Sequence, residues 1–301
     1  MLPALAILAA ALCFSTTGTA QALAGVDASP VAVGAARIVV GGGILGLLAL
    51  AQRRPTVRTP RTGAATGMLI AVGAVGVLAY QPLFFLGTRE NGVAIGTVVA
   101  LGSAPISTGI VDAVRLRRIP PPRWMLATAI ALAGVVLVSG VTGGAVALAP
   151  SGLLASAGAG MSYALYTVCG KALIERGWSS TRVMGAVFGV AAAASLPVLL
   201  VAGTSWLLTP SGIALALWLG VITTAVAYLL FGWGLARLSA VTVSTLTLAE
   251  PLAATLLGLF VLREQLSLVS GVGLALIAAG LAVVSVPARR REEVRDAATP
   301  A

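Results

Sequence analysis

The stretch AYLLFGWGLARLSAVTVSTLTLAEPLAATLLGLFVLREQLS, residues 227–267, decides how this chain folds. It holds the end of one apolar run (213–235) and the whole of the next (241–262), parted by Arg237 and Ser239. Each run is long enough to cross about 30 Å of hydrocarbon at about 1.5 Å per residue. The period-two alternation of an outer-membrane barrel strand is absent. Glu250 lies about ten residues into the second run, directly before Pro251. A carboxylate at that depth costs several kcal/mol unless it is paired, wet or protonated. The stretch reads as two membrane-crossing helices, the second carrying an acid near the middle of the membrane.

The rest of the chain repeats the pattern. Ten apolar segments fall at about 2–20, 31–51, 64–87, 92–112, 124–141, 151–171, 183–203, 213–235, 241–262 and 267–286. The 301 residues are 58% apolar and only 9% charged, with mean hydropathy +1.03. A soluble domain carries about 25% charged residues, so a water-soluble globule is excluded, as is a disordered chain. Histidine is absent, which removes His-dependent acid–base catalysis, Ser-His triads and His metal sites. Cys13 and Cys169 both lie in apolar runs and read as buried thiols. The first 24 residues imitate a secretory signal, yet no Lys or Arg precedes the apolar run, so a retained first helix is expected. Gly41-Gly42-Gly43, Gly67, Gly73 and Gly76 read as points of close helix approach. Trp124, Trp178, Trp206 and Trp218 near segment ends read as interface anchors.

The net charge of +10 is a topology signal. Ten crossings with a cytoplasmic N-terminus put sixteen positive side chains inside: Arg53, Arg54, Arg58 and Arg61; Arg115, Arg117, Arg118 and Arg123; Lys171, Arg176 and Arg182; Arg237; Arg289, Arg290, Arg291 and Arg295. Only Arg89 and Arg263 fall outside, each beside a glutamate, and Arg37 stays within the second helix. This asymmetry predicts a multi-pass protein of a bacterial inner membrane with both termini cytoplasmic. The lipid bilayer is then a partner, nucleic acid is not, and oligomeric state is left open.

The two halves resemble one another at an offset of 146–148 residues. Ala79-Tyr80 with Arg89 recurs as Ala227-Tyr228 with Arg237, Ala104-Pro105 as Glu250-Pro251, and 131–139 (ALAGVVLVS) as 277–285 (IAAGLAVVS). Five helices per half make the second half enter from the opposite face, an inverted repeat common in secondary transporters, whose substrate lies near the midplane. The expected fold is an all-α integral membrane protein of ten helices in two inverted repeats, 1–145 and 146–287, followed by a disordered, basic cytoplasmic tail, 288–301.

On these residues the chain resembles the drug/metabolite transporter superfamily, in particular EamA-type ten-helix exporters. SPVAVGAAR (29–37), VVALGSAPISTG (98–109) and the 227–267 stretch carry the likeness. Phe14, Ala104 and the Leu116-Arg117 pair depart from the family pattern, which often has Trp, Glu and a Gly-Glu end there. The resemblance implies a helical bundle around a central substrate cavity and export of amino acids or other small metabolites.

Ten residues are candidates for substrate binding or coupling. Glu250 could bind an ammonium or exchange a proton, or be a protonated packing group. Arg37 offers a bidentate fork to a carboxylate, or snorkels to the interface. Ser15 and Thr19 share a face of the first helix, and Tyr80 and Gln81 precede the kink at Pro82. Ser162 and Tyr166 are four apart, Tyr163 and Tyr166 three apart, so they share a face of the sixth helix. Trp233 lies near the cytoplasmic boundary, where an aromatic belt is the bland alternative. No catalytic residue, metal site or cofactor is expected, and with no GxxxxGK[ST] loop the chain does not drive itself with ATP. Proton coupling through Glu250 is the remaining energy source besides the substrate gradient. Alternating-access export of a small metabolite leads, against efflux of cationic drugs or amines, a passive channel, or a membrane enzyme.

Overall fold

The computed structural model describes residues 1–52, 61–138, 149–261 and 267–285, excepting the side chains of 93 and 94. The boundary near 145 and the tail 288–301 lie outside them, as do Arg53, Arg54, Arg58, Arg263 and Glu264. Among the described residues there is no strand. The helices are α1 (Leu2–Ala24), α2 (Pro30–Ala51), α3 (Ala64–Gly92), α4 (Ile95–Leu116) and α5 (Pro122–Val138). They continue with α6 (Pro150–Glu175), α7 (Ser180–Ala202), α8 (Pro210–Leu235), α9 (Ala240–Val261) and α10 (Leu268–Ser285).

Local chemistry sets the ends. Ser29, Ser179, Thr209 and Ser239 each accept a backbone N–H three residues on, satisfying donors that a first helical turn leaves unpaired. Pro30 and Pro210 occupy first-turn positions where a missing N–H costs nothing. Between α3 and α4 the expected loop at 88–91 shrinks almost to Gly92, whose φ of 81° lies where a side chain would be strained. Asn91 secures this reversal: its Nδ2 donates to Ala149 O and its Oδ1 accepts from Ala149 N, at 3.1 and 2.7 Å.

Among the described residues, eight helices are long and apolar enough to span a membrane. α5 has 17 residues, and the residues that would extend it lie outside the described set. α6 is 26 residues long, but Ser156, Ser162, Tyr163, Tyr166 and Thr167 dilute its apolarity. It tolerates them because both α3 and α4 pack on it, leaving these side chains buried. Lipid sees apolar side chains elsewhere, such as Leu50 and Val201, 84% and 89% exposed.

The packing follows a rule. α2 packs on α7 and α5 on α10, while α6 sits against α3 and α4, and α1 against α8 and α9. Exchanging each helix with the one five places later reproduces this set. Close approach needs glycine at some contacts but not at all those expected. Gly41, Gly42, Gly73 and Gly76 meet neighbours, whereas Gly43 and Gly67 have open space where a Cβ would stand. At the α5–α10 crossing a Cβ on Gly134 would lie 2.5 Å from Gly273 O and 2.7 Å from Ile277 N. Gly134→Leu will therefore lower stability by about 1–3 kcal/mol, read as a fall in Tm in detergent. Gly67→Leu, in open space, leaves Tm unchanged or raised; equal behaviour of the two would refute the crossing.

Arg115, Arg123, Lys171 and Arg182 tie helix ends together, whereas Arg37 and Arg89 lie elsewhere. Arg115 pairs with Asp112 and Glu175 at 2.8 and 2.6 Å, and Lys171 Nζ donates to Leu235 O. Arg123 donates to Val283 O and Arg182 to Gln52 O, tying α5 to α10 and α7 to the end of α2.

Candidate functional site

The central site begins with a broken helix. Hydrogen bonding in α9 is interrupted at Thr247-Leu248, between Ala240–Leu246 and Ala249–Val261. Pro251 has no N–H to give the Thr247 carbonyl, which accepts from Glu250 N instead, at 2.9 Å. Glu250 thus stands in the first turn of a 13-residue half-helix, where the positive end of the helix dipole favours an anion. Its carboxylate has no hydrogen-bond or ion-pair partner among the described residues, and it faces a small, partly enclosed cavity of about 60 Å³. That holds a few waters at most.

Arg37 of α2 reaches the same cavity. Its Nε donates to Thr224 Oγ1 and one terminal nitrogen to Thr223 O, both at 3.0 Å. Both acceptors lie on Trp218–Val226, a π-helical segment of α8; π segments are rare and recur at functional sites. Among the described residues the ion pairs are confined to Arg115, so Glu250 and Arg37 share the cavity without pairing. One guanidinium nitrogen of Arg37 stays uncommitted.

Aromatic rings form the walls. Tyr163 and Tyr166 of α6 meet at 5.1 Å between centroids, as do Phe14 of α1 and Tyr228 of α8. The Tyr166 and Tyr228 hydroxyls lie 3.1 Å apart. Thr247 Oγ1 gives its one hydrogen to Ser244 O, so at 3.0 Å from it the Tyr163 hydroxyl is the donor. Tyr80 of α3 and Ala104 of α4 complete the enclosure.

Five of the ten candidates, Glu250, Arg37, Tyr80, Tyr163 and Tyr166, are thus brought together. The other five lie elsewhere. Ser15 and Ser162 donate to Leu12 O and Gly158 O of their own helices, leaving no hydrogen for a ligand. Thr19 is not among the lining residues, and Gln81 packs toward Gly34. Trp233 is exposed beneath the Arg237 guanidinium, 3.8 Å from its ring centroid. Two expected interface anchors are corrected as well. Trp124 is buried and donates to Val241 O and Thr245 Oγ1 of α9, and Trp206 is buried in an apolar cluster. Sequence reasoning did not select Tyr228 or Thr247. Tyr228 had a signal, because it repeats Tyr80; Thr247 had one in its place four residues before Pro251.

Comparison with known proteins identifies the family. The EamA-like transporter family matches residues 1–140 and again 150–286. An uncharacterized transporter of Bacillus subtilis (strain 168), YwfM, is 40% identical over 293 residues, covering 97% of this chain and 96% of its own. An uncharacterized transporter of Archaeoglobus fulgidus is 36% identical over 126 residues, 41% of this chain and 44% of its own. A protein solved by crystallography shares the fold, with TM-score 0.78 at 24% identity and coverage of 96% and 98%. Matched in both halves, and along nearly its whole length by one relative, the chain belongs to the EamA-like transporter family of the drug/metabolite transporter superfamily and is a multi-pass membrane protein.

Proposed function

We propose that the protein is a secondary transporter exporting small zwitterionic metabolites, such as amino acids, across a bacterial inner membrane by alternating access. One observation carries the reading: a carboxylate and a guanidinium, unpaired with each other, face one aromatic-walled cavity. A zwitterion needs both charges, its ammonium meeting Glu250 and the ring faces and its carboxylate the uncommitted nitrogen of Arg37. At about 60 Å³ the cavity is too small for a metabolite as it stands, so alternating access must widen it to admit substrate. The paired packing of α2 with α7 and α5 with α10 supports inverted repeats spanning 1–145 and 146–287, with the arginine-rich loops and both termini cytoplasmic. Glu250 also offers a place for a coupled proton.

Counterflow in liposomes tests this. Labelled amino acid inside proteoliposomes exchanges faster when unlabelled amino acid is present outside, as only a carrier allows. An amine of similar size lacking the carboxylate competes weakly; equal competition would move the assignment to cationic amines. A flux indifferent to substrate on the far side would indicate a channel and overturn the proposal.

A further inference from the structure

Away from the central cavity, the outer faces of α4 and α5 do not close on one another. Two crevices of about 410 and 290 Å³ run between them and share Ile106 and Leu132. From Val98 to Ala113 they follow α4 for about 22 Å at about 1.5 Å per residue. That exceeds the roughly 15 Å of hydrocarbon in one leaflet. The lining is apolar, including Ile110, Met125 and Ala129. At its mouth the chain turns through Arg117 and Arg118, both exposed and with no side-chain partner among the described residues.

We infer that this groove holds one acyl chain of an anionic phospholipid, with the headgroup phosphate on Arg117 and Arg118. A greasy slot of leaflet length, reached at Ile119 directly after two exposed arginines without a side-chain partner, matches a phospholipid in both parts, since guanidinium binds phosphate bidentately. The position gives the lipid a grip on the transport machinery. Trp124, against which Gly109 packs, and Thr128 line the groove. Trp124 and Thr128 both hydrogen-bond Thr245 at 2.8 Å, and Thr245 lies just before the α9 break and Glu250. The bound chain therefore presses on the two side chains that anchor α9.

Native mass spectrometry of the full-length protein, exchanged into dioleoyl phosphatidylglycerol or dioleoyl phosphatidylcholine, reads the site. Wild type retains one phosphatidylglycerol with a tenfold to thirtyfold preference over phosphatidylcholine, the amount two basic residues supply at about a factor of five each. Combined Arg117→Gln and Arg118→Gln removes the preference. Ala129→Phe, at an exposed position in the groove, loses both lipids while the protein keeps its Tm. Equal retention by wild type, a preference surviving the double substitution, or lipid surviving Ala129→Phe would each overturn the inference. So would displacement of phosphatidylglycerol by millimolar inorganic phosphate, or Ala129→Phe abolishing a dimer without loss of lipid.

Discussion

Glu250→Gln reduces transport at least roughly thirtyfold, because it removes the negative charge facing the cavity while keeping the side chain's size. Taking away one member of a buried charge pair costs about 2–5 kcal/mol, and each 1.4 kcal/mol is about tenfold. The substitution keeps the fold, since the Glu250 backbone N–H that satisfies Thr247 O is retained and the carboxylate has no protein partner to lose. Where wild-type flux follows an imposed proton gradient, the variant's residual flux does not. Initial rates in proteoliposomes across a pH series measure both effects. An unchanged rate with an unchanged pH profile would leave Glu250 a packing group and remove it from the mechanism.

Arg37→Ala is the second large effect, and it strikes both stability and transport. The guanidinium is the cross-link between α2 and the π segment of α8. Losing two charge-assisted hydrogen bonds costs about 3–6 kcal/mol at about 1.5–3 each, so the Tm in detergent falls by many degrees. Arg37→Lys separates the roles. A single ammonium cannot reproduce the planar fork, yet keeps the positive charge, so it recovers part of the Tm and little of the transport of carboxylate-bearing substrates. Full recovery of transport by Lys would mean that charge alone suffices and that the fork geometry is irrelevant.

The membrane-crossing helices were legible in the sequence because hydropathy acts locally along the chain. Contact between Arg37 and Glu250's cavity was not, since 212 residues separate them and no local pattern specifies which helices meet. Ser15 and Ser162 show why polar residues in an apolar helix mislead: a hydroxyl can bond back to its own backbone. Trp124 misled in the opposite sense, its place near a helix end hiding a bond to α9 across 117 residues. The break in α9 was written in Pro251, read only as a neighbour of Glu250. Its consequence falls four residues earlier, on the Thr247 carbonyl, which releases the half-helix that presents the acid.

The burial of α6 between α3 and α4 bears on how the protein is made. A helix carrying this many hydroxyls partitions poorly from the translocon into lipid by itself, and its polar face is at home only against the two helices already threaded. Synthesis from the N-terminus supplies that cradle in time: α3 and α4 leave the ribosome before α6 does. A fragment starting at Ala149, which lacks α3 and α4, will therefore insert α6 less efficiently than the longer chain, as a glycosylation-site insertion assay would read.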